Sequence, residues 1–288
     1  VGMTGGYPQA EEINRNLAEA AAEAGVGLGV GSQRAGLEQP ELAGTYSVVR
    51  EFDVPLVIGN IGAPQLVPQG DVAPFGVEEA QEAMKMIGAD VLAIHLNYMQ
   101  EAVQGEGDRN AAGCLDAIRR LAAEVPVIVK ETGSGLSPRT LALLEDTGIR
   151  GLDVGGLGGT SFSAVETHRA GVTSPLRRIG TTFWDWGIPT PVTLALAARR
   201  FECIATGGVR HGLDVARGLA MGGRAAGMAR ALLRAATESA SSVIAELEVI
   251  RSELVTAMFL TGSATVEDLR SHVPVLDVTV EHWIERLR

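Results

Sequence analysis

Short apolar runs alternate with amphipathic stretches along the sequence, and nearly every apolar run ends in glycine or polar residues. Apolar strands separated by helices are typical of a parallel β-sheet. Eight such runs occur if the one that ends at Met3 is included, and eight βα units in about 250 residues form a TIM (β/α)8 barrel. The sequence therefore predicts an α/β TIM barrel with C-terminal helices.

After the run that ends at Met3, the predicted strands are 26–30, 55–60, 91–97, 125–131, 151–156, 203–208 and 225–229. Apolar residues spaced by three and four positions predict helices over 10–24, 76–88 and 137–148. Ser137 followed by Pro138 is a good start for the last of these.

Residues 231–288 are predicted to be helices that finish and cover the barrel, so that residues 1–288 form one domain. An open doubly wound sheet is the competing layout, and the polar strand exits favour the barrel. The chain begins with Val1 inside the end of its first apolar run. We therefore expect the start of that strand and an N-terminal segment to be missing.

Composition argues against several classes of protein. A net charge of −11 makes nucleic acid an improbable partner, because phosphate backbones require a basic surface. No apolar run reaches the roughly 18–20 residues that span a bilayer. Cys114 and Cys203 are far apart and form no CxxC, which indicates neither a disulfide framework nor a zinc site. We expect a cytoplasmic protein with no membrane partner.

The strand exits predict the functional face, because barrel active sites lie at the carboxyl ends of the strands. Glycines there could simply make tight turns, but polar side chains accompany them. The last two exits, 206–210 and 227–230, are glycine-rich turns that open helices. Such turns bind phosphate, and in barrels this is the usual phosphate site. They predict a phosphorylated cofactor such as FMN.

Lys130 ends a predicted strand in "VIVKETG" and would face the barrel axis. A lysine there can simply extend its ammonium group out to solvent. Its charge also suits the N1–C2 region of a flavin. Asn60 and Thr4 lie at comparable depths and can bind the edge of the ring.

A second polar group follows a buried strand. His95 and Asn97 are two residues apart and point to the same side, and Gln100 and Glu101 follow them. Burying such groups without partners costs roughly 2–7 kcal/mol each, which favours a ligand. A carboxylate beside a phosphate needs a cation, and Mg²⁺ commonly joins one carboxylate to substrate phosphates. Arg34 offers a planar fork for phosphate oxygens.

Seven blocks resemble the type 2 isopentenyl-diphosphate isomerase family, in that family's order, from residue 1 to about residue 230: "GMTGG", "GSQR", "HLNYMQEAVQGEGD", "VKETGSGLS", "DVGGLGGTSF", "FWDWGIPT" and "ATGGVRHGLDVARGLAMG". The resemblance implies a homo-oligomeric barrel, a tetramer or octamer, that binds FMN and Mg²⁺. It implies FMN reduced by NADPH and the interconversion of isopentenyl and dimethylallyl diphosphate in isoprenoid biosynthesis, without net redox change.

The resemblance also implies site residues. FMN would be contacted by Met3, Thr4, Gly5, Ser32, Asn60, Lys130, Thr160, Gly207, Gly208, Met228 and Ala229. The substrate would be contacted by Ser32, Gln33, Arg34, His95, Asn97 and Gln100. Of these, Gln100, His95 and Asn97 are the implied catalytic residues, and Glu101 would hold Mg²⁺.

The sequence departs from the family in two places. The family's Arg-Lys motif, which grips the diphosphate near the N-terminus, does not occur in this sequence. Gly105 stands where a proline is expected, which should loosen that loop.

Other functions stay open on the residues alone. A 2-hydroxy-acid oxidase on the same barrel needs a His–Arg pair near the seventh strand, and "VRHG" contains both residue types. A barrel like inosine-monophosphate dehydrogenase needs a cysteine in the loop 155–161, which has none. A non-catalytic flavin- or phosphate-binding barrel is a third reading. Trp184 and Trp186 either cover an isoprenyl pocket or pack on the next helix.

Overall fold

The computed structural model describes residues 2–288, and in that part of the chain seven parallel strands form one sheet. The strands, which pair in sequence order, are β1 (Leu28–Gly29), β2 (Val57–Gly62), β3 (Val91–Leu96), β4 (Val127–Glu131), β5 (Gly151–Asp153), β6 (Cys203–Ala205) and β7 (Ala225–Ala226). Each overlaps a run that the sequence predicts as a strand, and only β2 extends beyond its run, by two residues.

The helices connect and cover the strands. They are α1 (Ala10–Ala24), α2 (Arg34–Glu38), α3 (Gly44–Ser47), α4 (Val77–Ile87), α5 (Tyr98–Val103), α6 (Cys114–Glu124), α7 (Pro138–Leu144), α8 (Phe162–Arg169), α9 (Pro175–Thr182), α10 (Thr190–Ala197), α11 (Gly212–Ala220), α12 (Arg230–Ala236), α13 (Ala240–Leu260), α14 (Val266–Ser271) and α15 (Val278–Leu287). Short 3₁₀ turns cover Pro40–Leu42, Val48–Glu51, Ala63–Leu66 and Glu145–Thr147.

Local signals set several of these boundaries. The Ser137 side chain accepts a hydrogen bond from the Thr140 N–H at 3.1 Å, as the predicted N-cap requires. Helix α1 ends at Gly25, whose φ of 67° closes the helix in the left-handed region. The predicted strands 151–156 and 203–208 end early, because Gly155 and Gly207 have positive φ and leave the extended conformation.

The sheet is curved as in a barrel. Residues at the carboxyl ends of all seven strands line a single cavity of about 750 Å³, which a flat open sheet could not arrange. Apolar side chains on the other face of the strands, such as Ile94, Val129 and Leu152, pack in one core cluster with the helix residues Ala83 and Leu121. The predicted barrel architecture, rather than a doubly wound sheet, is therefore what the chain forms.

The expected first strand differs from the structure. Val1 lies outside the described residues, and residues 2–5 contain no assigned strand. This segment instead runs beside the end of β1, where the Gly31 N–H donates to the Thr4 carbonyl at 2.8 Å. A mostly apolar cavity of about 480 Å³ lies between β1 and the end of β7, under α1 and α13.

The C-terminal helices cover the gap between β1 and β7. Ile13 and Ala20 of α1 pack against Ala235, Ala236 and Val243 of α12 and α13. Within residues 2–288, no helix is both long and apolar enough to cross a membrane.

Candidate active site

The central cavity opens at the carboxyl ends of the strands, where the sequence predicts a site. Register explains how its polar side chains meet. His95 of β3 pairs with Lys130 of β4, and Lys130 pairs with Asp153 of β5. Three ionisable side chains therefore lie in one layer across adjacent strands, and all three are buried.

Glycine turns form one wall of the cavity. Gly207 and Gly208 have φ values of 97° and 85°. A Cβ at Gly207 would lie 2.2 Å from the Gly156 carbonyl oxygen, and one at Gly208 would lie 2.5 Å from the Gly158 carbonyl oxygen. Only glycine fits these positions, because the turn packs directly against the backbone of Gly156 and Gly158.

Gly227 to Arg230, which lead into the start of α12, line the same wall. Successive backbone N–H groups at such turns bind anions. This wall is therefore suited to a phosphate group.

Asn60 and His95 form a fixed pair at the floor of the cavity. The Asn60 amide nitrogen donates to the Val30 carbonyl at 3.1 Å, which turns the amide oxygen toward His95 Nδ1 at 2.8 Å. Nδ1 of His95 is then the donor in that contact. Burial, with a smaller effect from the charge of Lys130, lowers the pKa of His95 to about 3. His95 is therefore neutral at physiological pH and adds no positive charge.

Asp153 connects two strand exits, those of β5 and β6. Its carboxylate accepts a hydrogen bond from the Thr206 hydroxyl, and that hydroxyl accepts one from the Gly155 N–H at 2.9 Å. Burial raises the pKa of Asp153, while the charge of Lys130 opposes the change. The chain from Gly155 to Asp153 therefore holds the fifth and sixth exits together beside the lysine.

A second cluster surrounds Glu101 at the start of α5. Its carboxylate accepts hydrogen bonds from the Asn97 amide at 2.6 Å and from the Asp108 N–H at 2.8 Å. Burial raises the pKa of Glu101 against these two hydrogen bonds. Among the described residues, Asn97 Oδ1 is a buried atom with no hydrogen-bond partner. Such an orphaned acceptor is expected to face a cation or a donor from a ligand.

Asp108 joins this cluster to Arg34. The Arg34 guanidinium donates to Asp108 at 2.9 Å and to Glu38 at 2.9 Å, and the Gln65 amide donates to the same oxygen of Asp108 at 3.0 Å. Arg34 is thus already paired with two carboxylates. A substrate diphosphate would have to share or replace one of them.

Gln100 reaches the cavity from α5 and is held by a partner on α8. Its amide nitrogen donates to Glu166 at 3.0 Å, and Glu166 also accepts from Arg169 at 2.8 Å. With its nitrogen engaged in this way, the amide of Gln100 has a fixed orientation at the cavity wall.

The structure brings many of the residues implied by the family resemblance to the cavity. Its lining includes Met3, Ser32, Asn60, His95, Gln100, Lys130, Thr160, Gly207, Gly208, Met228 and Ala229. Thr4 lies just behind, hydrogen-bonded to the buried Asn14, and Gly5 lies against the ring of Tyr46. Asn97, Glu101 and Arg34 form the adjoining cluster described above.

Gln33 is a correction to the expected substrate contacts. Its side chain is 0% exposed. The amide donates to the Ala83 carbonyl at 2.7 Å and accepts from the Asn60 N–H at 2.9 Å. Both ends of the amide are therefore used in joining β2 to α4, away from the cavity.

Trp184 and Trp186 also lie outside the cavity. Trp186 is 63% exposed and stacks edge-on against Phe183, and Trp184 meets His168 in the same way. The structure therefore favours local packing over the predicted alternative of a cover for the cavity.

Sequence analysis missed several residues of the site. Asp153 could have been found, because a carboxylate within the apolar run "GLDVGG" is unusual. Glu131 and Thr206 also adjoin strand exits. Glu166 lies on a helix far along the chain, and only tertiary structure places it beside Gln100.

Comparisons with known proteins agree with this architecture. The family model for FMN-dependent dehydrogenases matches residues 115–275, more than half of the chain. The chain is therefore an FMN-dependent α/β barrel protein.

An isopentenyl-diphosphate delta-isomerase of Archaeoglobus fulgidus is 45% identical over 286 residues, which cover 98% of this chain and 81% of that protein. The protein of the same name from Methanothrix thermoacetophila is 48% identical over 279 residues, or 95% and 76% of the two chains. The chain belongs to the isopentenyl-diphosphate delta-isomerase family.

Solved structures of more distant proteins share the fold. A mandelate oxidase superposes with a TM-score of 0.59 at 18% identity, covering 92% of this chain and 74% of the oxidase. A lactate oxidase of Pediococcus acidilactici gives a TM-score of 0.59 at 17% identity, covering 90% and 70% of the two chains. At this identity the likeness concerns the fold alone.

Proposed function

We propose that this chain interconverts isopentenyl diphosphate and dimethylallyl diphosphate, with FMN bound in the central cavity. The observation that carries the proposal is one cavity with two chemically different sides. Glycine turns suited to a phosphate form one wall, and neutral or paired polar groups form the other. Membership of the isomerase family at 45% identity over nearly the whole chain supports the same reaction.

The residues present fit FMN. The cofactor phosphate would be held by N–H groups of the turns at Gly207–Gly208 and Met228–Ala229, which line the cavity. Lys130 and Asn60 would bind the polar edge of the isoalloxazine ring, and Met3 and Thr160 would border it. When bound and reduced, the flavin supplies a proton-transfer group near N5.

The diphosphate and Mg²⁺ would lie by the Glu101 cluster. Glu101 and the unpartnered oxygen of Asn97 are oxygen ligands of the kind Mg²⁺ prefers. Within residues 2–288, no group of three or more His, Cys, Asp or Glu could hold a metal ion. The ion would therefore complete its coordination with diphosphate oxygens and water. Arg34 supplies the nearby positive charge.

The reaction requires a proton to be added to one alkene carbon and another to be removed from the allylic carbon opposite, with a shift of the double bond and no net oxidation. Gln100, oriented by Glu166, would position the isoprenyl group. Neutral His95 can form a hydrogen bond to the substrate. Because its imidazole is uncharged, this contact avoids the desolvation cost of a buried cation. Asn60 and His95, buried at the cavity floor, would limit the access of water to the reacting carbons.

NADPH as the reductant comes from the family resemblance. Phe259 and Leu260, which are 81% and 76% exposed on α13, support contact between subunits of a homo-oligomer. In the described part of the chain both cysteines are free and buried, which suits a reducing compartment such as the cytoplasm.

A hydroxy-acid oxidase is the second candidate, favoured by the FMN-dependent dehydrogenase match. Such an enzyme needs a histidine base facing the flavin. His211 instead caps α11, accepting from the Asp214 N–H at 3.2 Å, and lies in a groove against α13 outside the central cavity. His211 is therefore used structurally, and the isomerase is the better proposal.

The test uses purified protein. We expect a yellow protein with a bound-flavin absorption spectrum. After anaerobic reduction by NADPH, with Mg²⁺ present, it should convert isopentenyl diphosphate into dimethylallyl diphosphate, detected by ¹H NMR of the alkene protons. A protein that takes up no FMN would contradict the cofactor site. Oxidation of 2-hydroxy acids with isopentenyl diphosphate left unchanged would favour the oxidase.

A further inference from the structure

The loop after β4 is folded around a carboxylate from its own chain. The N–H groups of Thr132, Gly133 and Gly135 donate to Oε2 of Glu131 at 2.6, 2.8 and 3.1 Å, and the Ser134 N–H donates to the same oxygen. The Glu131 residue is 8% exposed. Four consecutive backbone donors therefore converge on one buried oxygen.

This convergence depends on glycine. Gly133 and Gly135 have φ values of 136° and 68°, which turn successive N–H groups toward the inside of the loop. Concave arrangements of backbone N–H groups are anion-binding sites in many proteins. Without Glu131, the loop "TGSG" would present such a site to solutes.

The loop is also part of the cavity wall. Thr132 and Gly133 line the cavity. Gly135 donates to the Gly155 carbonyl at 3.1 Å, and the Ser134 carbonyl accepts from the Ile188 N–H at 2.8 Å. A Cβ at Gly155 would lie 2.1 Å from the Glu131 carbonyl oxygen. A change in this loop would therefore reach the next strand exit.

Two groups of backbone N–H groups at this end of the barrel could thus bind an anion. One of them already binds a carboxylate of the chain itself, and the other does not. The backbone N–H groups of residues 132–135 all donate to the Glu131 carboxylate. The turns at Gly207–Gly208 and Gly227–Ala229 line the cavity directly. A phosphate from solution should bind at the glycine turns, because the Glu131 carboxylate occupies the N–H groups of residues 132–135 and its negative charge repels a second anion there.

We propose that Glu131 is a positioning residue that fills the 132–135 amide concavity with an internal anion, which fixes this cavity wall and directs the FMN phosphate to the glycine turns. The inference deepens the proposed FMN site and rests on it. Burial raises the pKa of Glu131 to about 7, against the pull of the surrounding N–H groups and of Lys130. At pH 8 the carboxylate is therefore mostly ionised, and this is the pH for the test.

The experiment compares wild type, Glu131→Ala, Glu131→Gln and the control Glu79→Ala. Glu79 also accepts a backbone N–H, that of Gly76 at 2.6 Å, but at the exposed start of α4. FMN affinity is measured by quenching of flavin fluorescence, and hydrogen–deuterium exchange is measured on peptides of the apoprotein that cover 127–144. Each is repeated with sodium formate against sodium chloride at equal ionic strength.

For Glu131→Ala, we expect FMN affinity to fall by about tenfold or more and amide exchange in 132–135 to accelerate. Formate, a carboxylate that fits the vacated space, should reverse both effects, whereas chloride should not. Glu131→Gln keeps the volume without the charge, so it should lose at least about threefold in FMN affinity, with no rescue by formate. Glu79→Ala should match wild type in both measurements.

The outcomes separate the inference from the proposed function. If wild type takes up no FMN, the cofactor site fails, and the exchange experiment on the apoprotein still tests the loop. If wild type binds FMN and Glu131→Ala binds it equally well, or if formate restores neither measurement, the inference is wrong and the site stands. If Glu131→Ala does not fold, Glu131→Gln provides the test. An FMN affinity and an amide exchange rate in Glu131→Gln that both equal those of wild type would overturn the inference.

Discussion

The neutral state of His95 has a measurable consequence for stability. An unfolded histidine has a pKa near 6.5, whereas burial and the charge of Lys130 lower the pKa of His95 to about 3. The unfolded chain therefore binds a proton at this position between pH 6.5 and 3 that the folded chain does not. Stability from this residue is present above pH 6.5 and is lost as the pH falls through that interval.

The size of the effect follows from the two pKa values. Each pKa unit corresponds to about 1.4 kcal/mol. Between pH 7 and pH 5 the unfolded histidine becomes almost fully protonated while folded His95 stays neutral. The free energy of unfolding should therefore fall by about 2 kcal/mol from this residue alone. Burial of the residue means that solvent screening reduces this figure little.

The assay compares urea unfolding of the apoprotein and of His95→Gln at pH 7, 6 and 5. Other groups titrate in both proteins, so their contributions cancel in the difference between the two unfolding free energies. We expect wild type to lose about 2 kcal/mol relative to His95→Gln over this range. A difference that stays constant with pH, or a His95 imidazole that titrates near pH 6.5 by NMR, would refute the reasoning.

Three further predictions concern the cavity. Lys130→Met should weaken FMN binding by about tenfold or more, measured by flavin fluorescence, and unchanged affinity would remove Lys130 from the cofactor site. Gly155→Ala places a Cβ 2.1 Å from a backbone oxygen at a φ of +45°, so the free energy of unfolding should fall by at least about 1–3 kcal/mol in urea. Gly171→Ala, where a Cβ meets nothing within 4 Å, is its control, and equal losses would contradict the steric argument. Glu166→Ala removes the acceptor of the Gln100 hydrogen bond and should lower kcat by about tenfold, whereas Arg169→Gln keeps the hydrogen bond of Glu166 to Gln100 and should lower kcat far less. Equal effects on kcat would mean that Glu166 acts only through its ion pair.

The spacing of apolar residues, together with the capping and turn residues, was sufficient to predict most of the fold. Helix α1 covers 10–24 as predicted, and Ser137 caps α7 as predicted, because both depend on residues close together in the chain. Strand ends were less accurate. At Gly155 and Gly207 a left-handed turn ends the strand, and an apolar pattern does not reveal where that turn begins.

The residues of the site divide in the same way. Asn60, His95 and Lys130 follow or end apolar strands, so their placement at the barrel mouth could be predicted from position alone. Gln33 stands in an equally suggestive block, yet its amide joins β2 to α4. Whether a polar side chain at a strand exit turns into the cavity or away from it depends on the backbone groups that meet it from other elements.

The sequence by itself determined the alternation of strands and helices, the polar face of the barrel and the family resemblance. Each of these depends only on the spacing of neighbouring residues or on short sequence motifs. Only the tertiary structure decided the charge state of His95, the pairing of Arg34 with Asp108, and the contact of Gln100 with Glu166. Those properties depend on burial and on distances between residues up to 74 positions apart, and neither quantity exists until the chain has folded.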